Sequence, residues 1–220
     1  MCNRFRTVKE WSQLPRDLAR TLLNYEYNPN VAPTEQVPAF LAEKGTGITP
    51  RLARFGISLP PKPGKKPVFL LNVRTDSLRR GSFRSMLSER RAAIPADGFY
   101  EWREEKGRKQ PYFFYRKDGL PILFAGIWDF SDVAGDRVPS FAILTDAANE
   151  LIAPYHQRMP VVLENPEPWL QESENPLDRI DMLTPEAFAV RSVNPAVNRA
   201  TEKNLKAIET VHTGDLFTSR

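Results

Sequence analysis

The sequence predicts an α+β fold: a single domain with a bent, mostly antiparallel, β-rich and barrel-like core and short flanking helices. Three observations carry this. Strand-length runs of aromatic and β-branched residues recur at 51–58, 67–73, 111–116, 121–130 and 140–145, bounded by Pro, Gly or Asp. Helical patterns are few and short, and they do not alternate regularly with the strands, which argues against a doubly wound parallel sheet. A chain of 220 residues can bury one good core without staples.

Thr7-x-x-Glu10 has the form of a capping box and predicts a short helix that Pro15 interrupts or restarts. Residues 28–38 carry three prolines and read as an extended loop. The stretch 59–67, LPPKPGKKP, reads as a stiff basic surface loop. DAANELIAP (146–154) predicts a short helix closed by Pro154. A strand follows at 161–163, a short helix at 167–172 and a late strand at 187–193. We take 2–220 as one domain, with a peripheral, loosely ordered tail after Asn194.

Apolar residues make up 41% and charged residues 26%, a soluble globular composition. One cysteine, Cys2, excludes an internal disulfide and a zinc site built from several cysteines. Arg4, Arg6 and Lys9 break up any signal-peptide run, and no stretch approaches the ~20 apolar residues that span a bilayer. The expected location is the cytoplasm, in association with the nucleoid, with no membrane. Net charge is only +4, from 31 basic and 27 acidic side chains. The basic residues cluster: Arg51 with Arg54; Lys62 with Lys65 and Lys66; and Arg79, Arg80, Arg84, Arg90 and Arg91 together. Acidic residues gather around 164–181. That asymmetry suits a polyanionic partner, and ordinary solvated surface charge produces it equally well.

Cys2 follows the initiator Met1. Methionine aminopeptidase commonly removes a Met that precedes a residue as small as cysteine. The new terminus would then be a 1,2-aminothiol, with an amine of pKa ~7.7–8.0 beside a thiol of ~8.5. Two chemistries follow. The thiolate can attack an amide with the amine as base, or the amine and thiol together can capture an aldehyde as a thiazolidine. An incidental small residue would look the same at this position. Asn72 and Arg74 end a strand and share one face of it. Glu101 stands among Phe99, Tyr100 and Trp102, surroundings that raise a carboxyl's pKa and suit a general acid, although an edge strand would turn it to solvent. His156 lies on a loop fixed between Pro154 and Pro160. His212 reads as surface.

In order along the chain, MC-x-RF, APTE, NVR, IPADGFYEW, FAGIWD, FAILTDAAN and HQRMPVVL resemble the SRAP family, the SOS-response-associated peptidases. The resemblance implies a bent β-rich core, a positively charged channel for single-stranded DNA, and covalent capture of abasic sites, without cofactor or metal. Carried over, it implies that Cys2 supplies amine and thiol, Asn72 orients the terminus, Glu101 is the general acid/base, and His156 is a second proton-transfer group. Arg74 and Arg158 match phosphate-holding positions, with Arg4 and Arg84 as further DNA-binding candidates and Thr145 as a pocket residue. Its partner would be single-stranded DNA carrying abasic sites, with no obligatory protein partner and a monomeric state. A thiol peptidase or amidohydrolase using the same Cys2 and Glu101, and a non-catalytic single-strand binder, are the competing functions. Two positions depart from the family pattern. Asn3 stands where the family usually has glycine. Arg54-Phe55-Gly56 stands where it often has Arg-Trp-Gly, so that base stacking there is either weaker or supplied by Phe55.

Overall fold

A computed structural model of the chain describes residues 2–10, 25–60, 63–64, 67–79, 83–171 and 175–209. The strands are β1 (Phe5–Arg6), β2 (Gln36–Glu43), β3 (Gly47–Phe55), β4 (Ile57–Leu59), β5 (Val68–Leu70), β6 (Asn72–Arg74) and β7 (Arg90–Ala96). They continue with β8 (Gly98–Glu105), β9 (Arg108–Arg116), β10 (Ile122–Val133), β11 (Asp136–Ala147), β12 (Arg158–Pro160), β13 (Val162–Leu163) and β14 (Phe188–Ser192). Five of them close into a barrel in the order β11-β3-β2-β7-β10, with β10 pairing back onto β11. Every pairing in that ring is antiparallel except β3 with β11. The fold class is therefore the one the sequence predicts.

The β10–β11 hairpin, as long a pairing as β2 with β3, is closed by Ala134 (φ 54) and Gly135 (φ 92). Both residues are left-handed, as a two-residue turn matching the strand twist requires. Successive residues of β2, β7, β10 and β11 fall alternately into two apolar clusters. One holds Leu41, Ile94, Phe124 and Ile143 and is shared with a second sheet, β1-β8-β9-β14. The other holds Phe40, Ala93, Ala125 and Leu144 and lies under the short helices through Leu78, Leu87 and Trp169. Both faces are covered, so these strands read as continuous apolar runs rather than alternating ones.

The chain's first residues belong to the second sheet. β1 pairs with β8, and Phe5 is fully buried, edge-on to Phe55 and Phe124 at 5.5 and 5.6 Å. The end of the described chain locks this strand in place. Arg4 Nη1 donates to Asn30 Oδ1 at 2.8 Å and to the Val197 carbonyl at 3.0 Å.

Several local expectations are corrected. Thr7 does not cap toward Glu10: its hydroxyl exchanges hydrogen bonds with the backbone of Asn28, and the helix expected around Pro15 falls outside the described residues. The loop at 28–38 gives way to β2 at Gln36. Pro38 is tolerated there because β7 pairs only with Phe40–Glu43, leaving one side of β2 without a ladder. The 146–154 helix is a set of turns. Asn149 Oδ1 accepts from Leu151 and Ile152, a side-chain turn that competes with helix propagation, and Pro154 follows at once. The stretch after Asn194 is docked as far as Glu209, because Val197 and Ile208 are fully buried beside Tyr100 and Phe113. Arg91 is not a surface cation. It is buried and donates to the carbonyls of Leu87, Ser88, Trp169 and Gln171, while Arg90 pairs with Glu43 and Asp129. Lys62, Lys65, Lys66, Arg80 and His212 lie outside the described residues.

Candidate active site

β8 carries Glu101. The strand starts at Gly98 (φ +156), where a Cβ would stand 2.2 Å from the Phe114 carbonyl oxygen, so only glycine lets β8 approach β9 this closely. The β1–β8 register, Phe5↔Phe99 and Arg6↔Gly98, continues with a 3.0 Å bond from Tyr100 N–H to the Arg4 carbonyl. One step further puts Asn3 opposite Glu101, and Cys2 beyond it. The Cys2 side chain is wholly buried in the apolar cluster, with its Sγ–H directed to the Arg4 carbonyl at 3.9 Å.

Asn72 opens β6, opposite Ile143 of β11. Its Nδ2 donates to Asn3 Oδ1 at 2.8 Å. Its Oδ1 is buried and has no hydrogen-bond partner among the described residues. His156 follows the turns that replace the expected helix, and its Nδ1 lies 2.9 Å from the Arg158 N–H and 3.0 Å from the Arg158 carbonyl oxygen, accepting from the first or donating to the second according to tautomer. The neighbouring Tyr155 ring packs edge-on against Tyr112, the residue paired with Glu101, at 4.7 Å. The field of one terminus links Cys2, Glu101 and His156, and Asn72 reaches the same segment through Asn3.

Burial pushes the Glu101 carboxyl up to about 7, against the pull of the chain's terminal ammonium. Burial, and then the Glu101 charge, hold the Cys2 thiol well above its ordinary range. Burial, and then the same terminal ammonium, lower His156 below its usual value. One positive terminus, the ammonium of Met1, acts on all three groups. At neutral pH the thiol is protonated and the imidazole neutral, while Glu101 sits close to half-ionised. A buried carboxyl poised there can take a proton from a thiol as it attacks and return it elsewhere, which is general acid/base work.

The DNA-binding candidates divide. Arg74, Thr145 and Pro160 lie in one row across β6, β11 and β12, and Arg158 is on β12. Arg74 is exposed and clasps Asp76 with two bonds of 3.0 and 2.5 Å; such an exposed pair is weak enough for a phosphate to displace. Arg158 Nη2 donates to the Thr145 carbonyl and reaches its hydroxyl at 3.4 Å, while Nε is buried with no partner among the described residues. Thr145 is itself fully buried and serves as the support of Arg158. Arg4 is tied into the fold by Asn30, Val197 and Asn198. Arg84 begins the helix Arg84–Glu89 and borders a separate cleft with Leu78, Leu87 and residues 175–178. Phe55 cannot stack on a base: it is fully buried against Phe141 at 5.3 Å. The exposed ring nearby is Phe69, with the Arg54 guanidinium 5.1 Å from its centre.

Sequence reasoning missed Arg103, which shares the strand face of Glu101 and lies over the rings of Tyr112 and Tyr155 at 5.0 and 5.1 Å. The period-two spacing from Glu101 was the available signal. Among the described residues, no group of three or more His, Cys, Asp or Glu is arranged to hold a metal ion, and no helix is long and apolar enough to cross a membrane.

The chain uses its own first residues as a strand of the second sheet and seats a cysteine, an asparagine and a near-neutral carboxyl at that end. A family model described as SOS response associated peptidase (SRAP) matches residues 1–200, and the chain belongs to that family. It is similar to the Bacillus subtilis protein named abasic site processing protein YoqW, 32% identical over 92% of this chain and 98% of the relative. It is also similar to abasic site processing protein YedK of Escherichia coli, 32% identical over 78% and 80% of the two chains. Among solved structures, a protein from Bordetella bronchiseptica shares the fold with a TM-score of 0.70 at 23% identity, covering 88% of this chain and all of its own.

Proposed function

We propose that this protein processes abasic sites in single-stranded DNA by covalent capture on an N-terminal Cys2. Its SRAP relatives named abasic site processing proteins support the substrate. The observation that carries the mechanism is Glu101, a carboxyl poised at about 7 beside a thiol that burial keeps protonated. After removal of Met1, the Cys2 amine adds to the aldehyde of the opened deoxyribose. Its oxygen leaves as water and an imine forms. The thiol sulfur then adds to the imine carbon. Its proton passes through Glu101 to the nitrogen, closing a thiazolidine with net loss of one water. His156 is the second proton-transfer group, at the sugar oxygen, and Arg74 and Arg158 hold flanking phosphates. The site is reached from a single strand, because drawing the sugar out of a duplex costs a few kcal/mol of unstacking. The same reading places the protein with cytoplasmic DNA as a monomer. A thiol peptidase would draw on the same Cys2 and Glu101, and the relatives named for abasic-site processing favour the capture reading over it.

The test is a denaturing gel with an abasic single strand, using protein whose N-terminus is checked by mass. The parent gives a heat-stable shifted band. Cys2→Ala gives at most an imine seen after borohydride reduction. A chain with one residue retained before Cys2 gives none. A heat-stable band from that extended chain would overturn the mechanism, since its amine is an amide.

A further inference from the structure

We propose that Asn3 is a positioning residue of this site: by accepting from Asn72 Nδ2, it fixes the Asn72 amide so that the carbonyl end stays available to the reactive amine. The inference rests on the capture reading above and names a residue that reading leaves idle. The two ends of a carboxamide are nearly the same shape but opposite in hydrogen bonding, and rotating the group by half a turn exchanges them. Something must therefore choose. Here the Nδ2 end is engaged by Asn3 Oδ1 at 2.8 Å, and the Oδ1 end is left buried with no partner among the described residues. A buried acceptor without a donor is costly, so the arrangement is retained most readily where a donor arrives in the working state.

The Cys2 amine is the donor at hand, because Asn3 is its immediate neighbour and lies opposite Glu101. An N–H held by Asn72 Oδ1 turns the nitrogen lone pair away from the asparagine, toward an incoming aldehyde carbon. This is the orientation that imine formation needs. Glycine at position 3 has no side chain with which to make this choice.

The experiment measures crosslinking rates at saturating abasic single strand for the parent, Asn3→Ala, Asn72→Ala and the double variant, each confirmed by mass to begin at Cys2. We expect Asn3→Ala to be about 3- to 10-fold slower, the worth of one neutral hydrogen bond. The half-saturating DNA concentration should not change. The double variant should match Asn72→Ala within about twofold, because Asn3 acts only through Asn72. Asn3→Asp can only accept, so it orients Asn72 the same way. Its added charge holds the amine protonated longer, so its rate should recover toward the parent's only at higher pH. Asn3→Ala should stay slow at every pH. Parental rate in Asn3→Ala, or a double variant slower than Asn72→Ala by the full Asn3 factor, overturns the proposal. The same four proteins are tested with glycolaldehyde, reading the adduct by intact mass. This needs the aminothiol but no DNA. Failure of the DNA arm alone then indicts the substrate, and loss of the Asn3 effect in the glycolaldehyde arm indicts the positioning.

Discussion

Asn30 and Asn72 each hydrogen-bond a residue of the N-terminal segment, and they are used in opposite ways. Asn30 is fully buried and saturated: its Oδ1 accepts from Arg4, and its Nδ2 donates to the carbonyls of Val197, Arg199 and Glu202 at 3.2, 2.9 and 3.1 Å. Asn72 is half-satisfied, with a buried carbonyl left open beside Asn3. The first region is a polar seam in which every bond serves the fold. The second leaves the buried Asn72 Oδ1 open, in the region of Cys2 and Glu101. The contrast separates residues that hold the terminus from residues that let it react.

The largest effect should come from the reactive region. Glu101→Gln keeps the shape and removes the transferable proton, so the crosslinking rate should fall about 10²–10⁴-fold while the final adduct still forms. Rapid-quench gels would show it. A parental rate would make Glu101 part of the seam rather than of the site.

Asn30→Ala should cost about 2–4 kcal/mol, because it removes the four hydrogen bonds of a fully buried side chain, one from Arg4 and three to the carbonyls of Val197, Arg199 and Glu202. Asn72→Ala should cost less than about 1 kcal/mol, since it also removes an unsatisfied acceptor. Thermal unfolding of both variants checks the contrast, and equal losses would erase it.

A third difference is in pH dependence. The folded chain holds the Glu101 proton up to about pH 7, whereas its ordinary value is 4.5. Below about 4.5 both states are protonated and nothing is lost. Between there and about 7 the unfolded chain releases its proton first, so stability falls as pH rises. Glu101→Gln escapes this loss. It should melt several degrees above the parent at pH 8, at about 2–4 °C per kcal/mol, and show little of that gain near pH 4.5. Calorimetry at the two pH values decides the sign.

The smallest effect separates the arginines. Arg74→Ala and Arg158→Ala should each lower the salt slope of single-strand binding by about 0.7. Arg4→Ala should leave the slope unchanged and lower the melting temperature instead.

The sequence discloses β10 and β11 because much of both their faces is buried, which makes each an apolar run that stands out; β2 and β7, as deeply buried, are not among the runs it marks, and β3 is marked although most of its residues are exposed. Asn72, Glu101 and His156 are legible because each lies in a short motif between structural punctuation marks. What stays hidden depends on contacts distant along the chain. Nothing local at Asn30 announces three carbonyls some 170 residues away. The stretch after Asn194 looks like a tail because its composition is polar, yet two apolar side chains, Val197 and Ile208, suffice to dock it. The helix expected at 146–154 fails for a local reason instead: Asn149 offers its own side chain to the two N–H groups that a helix would begin with.

The bond from Arg4 to the Val197 carbonyl spans 193 positions of sequence. It makes the two extremities of the folded chain mechanically one piece. A premature stop after Asn194 would spare Cys2, Asn72, Glu101 and His156 and delete none of their contacts with one another. It would still release the strand on which Cys2 is mounted. Damage confined to residues 195–209 would then register as a defect at the opposite end of the fold, around Cys2.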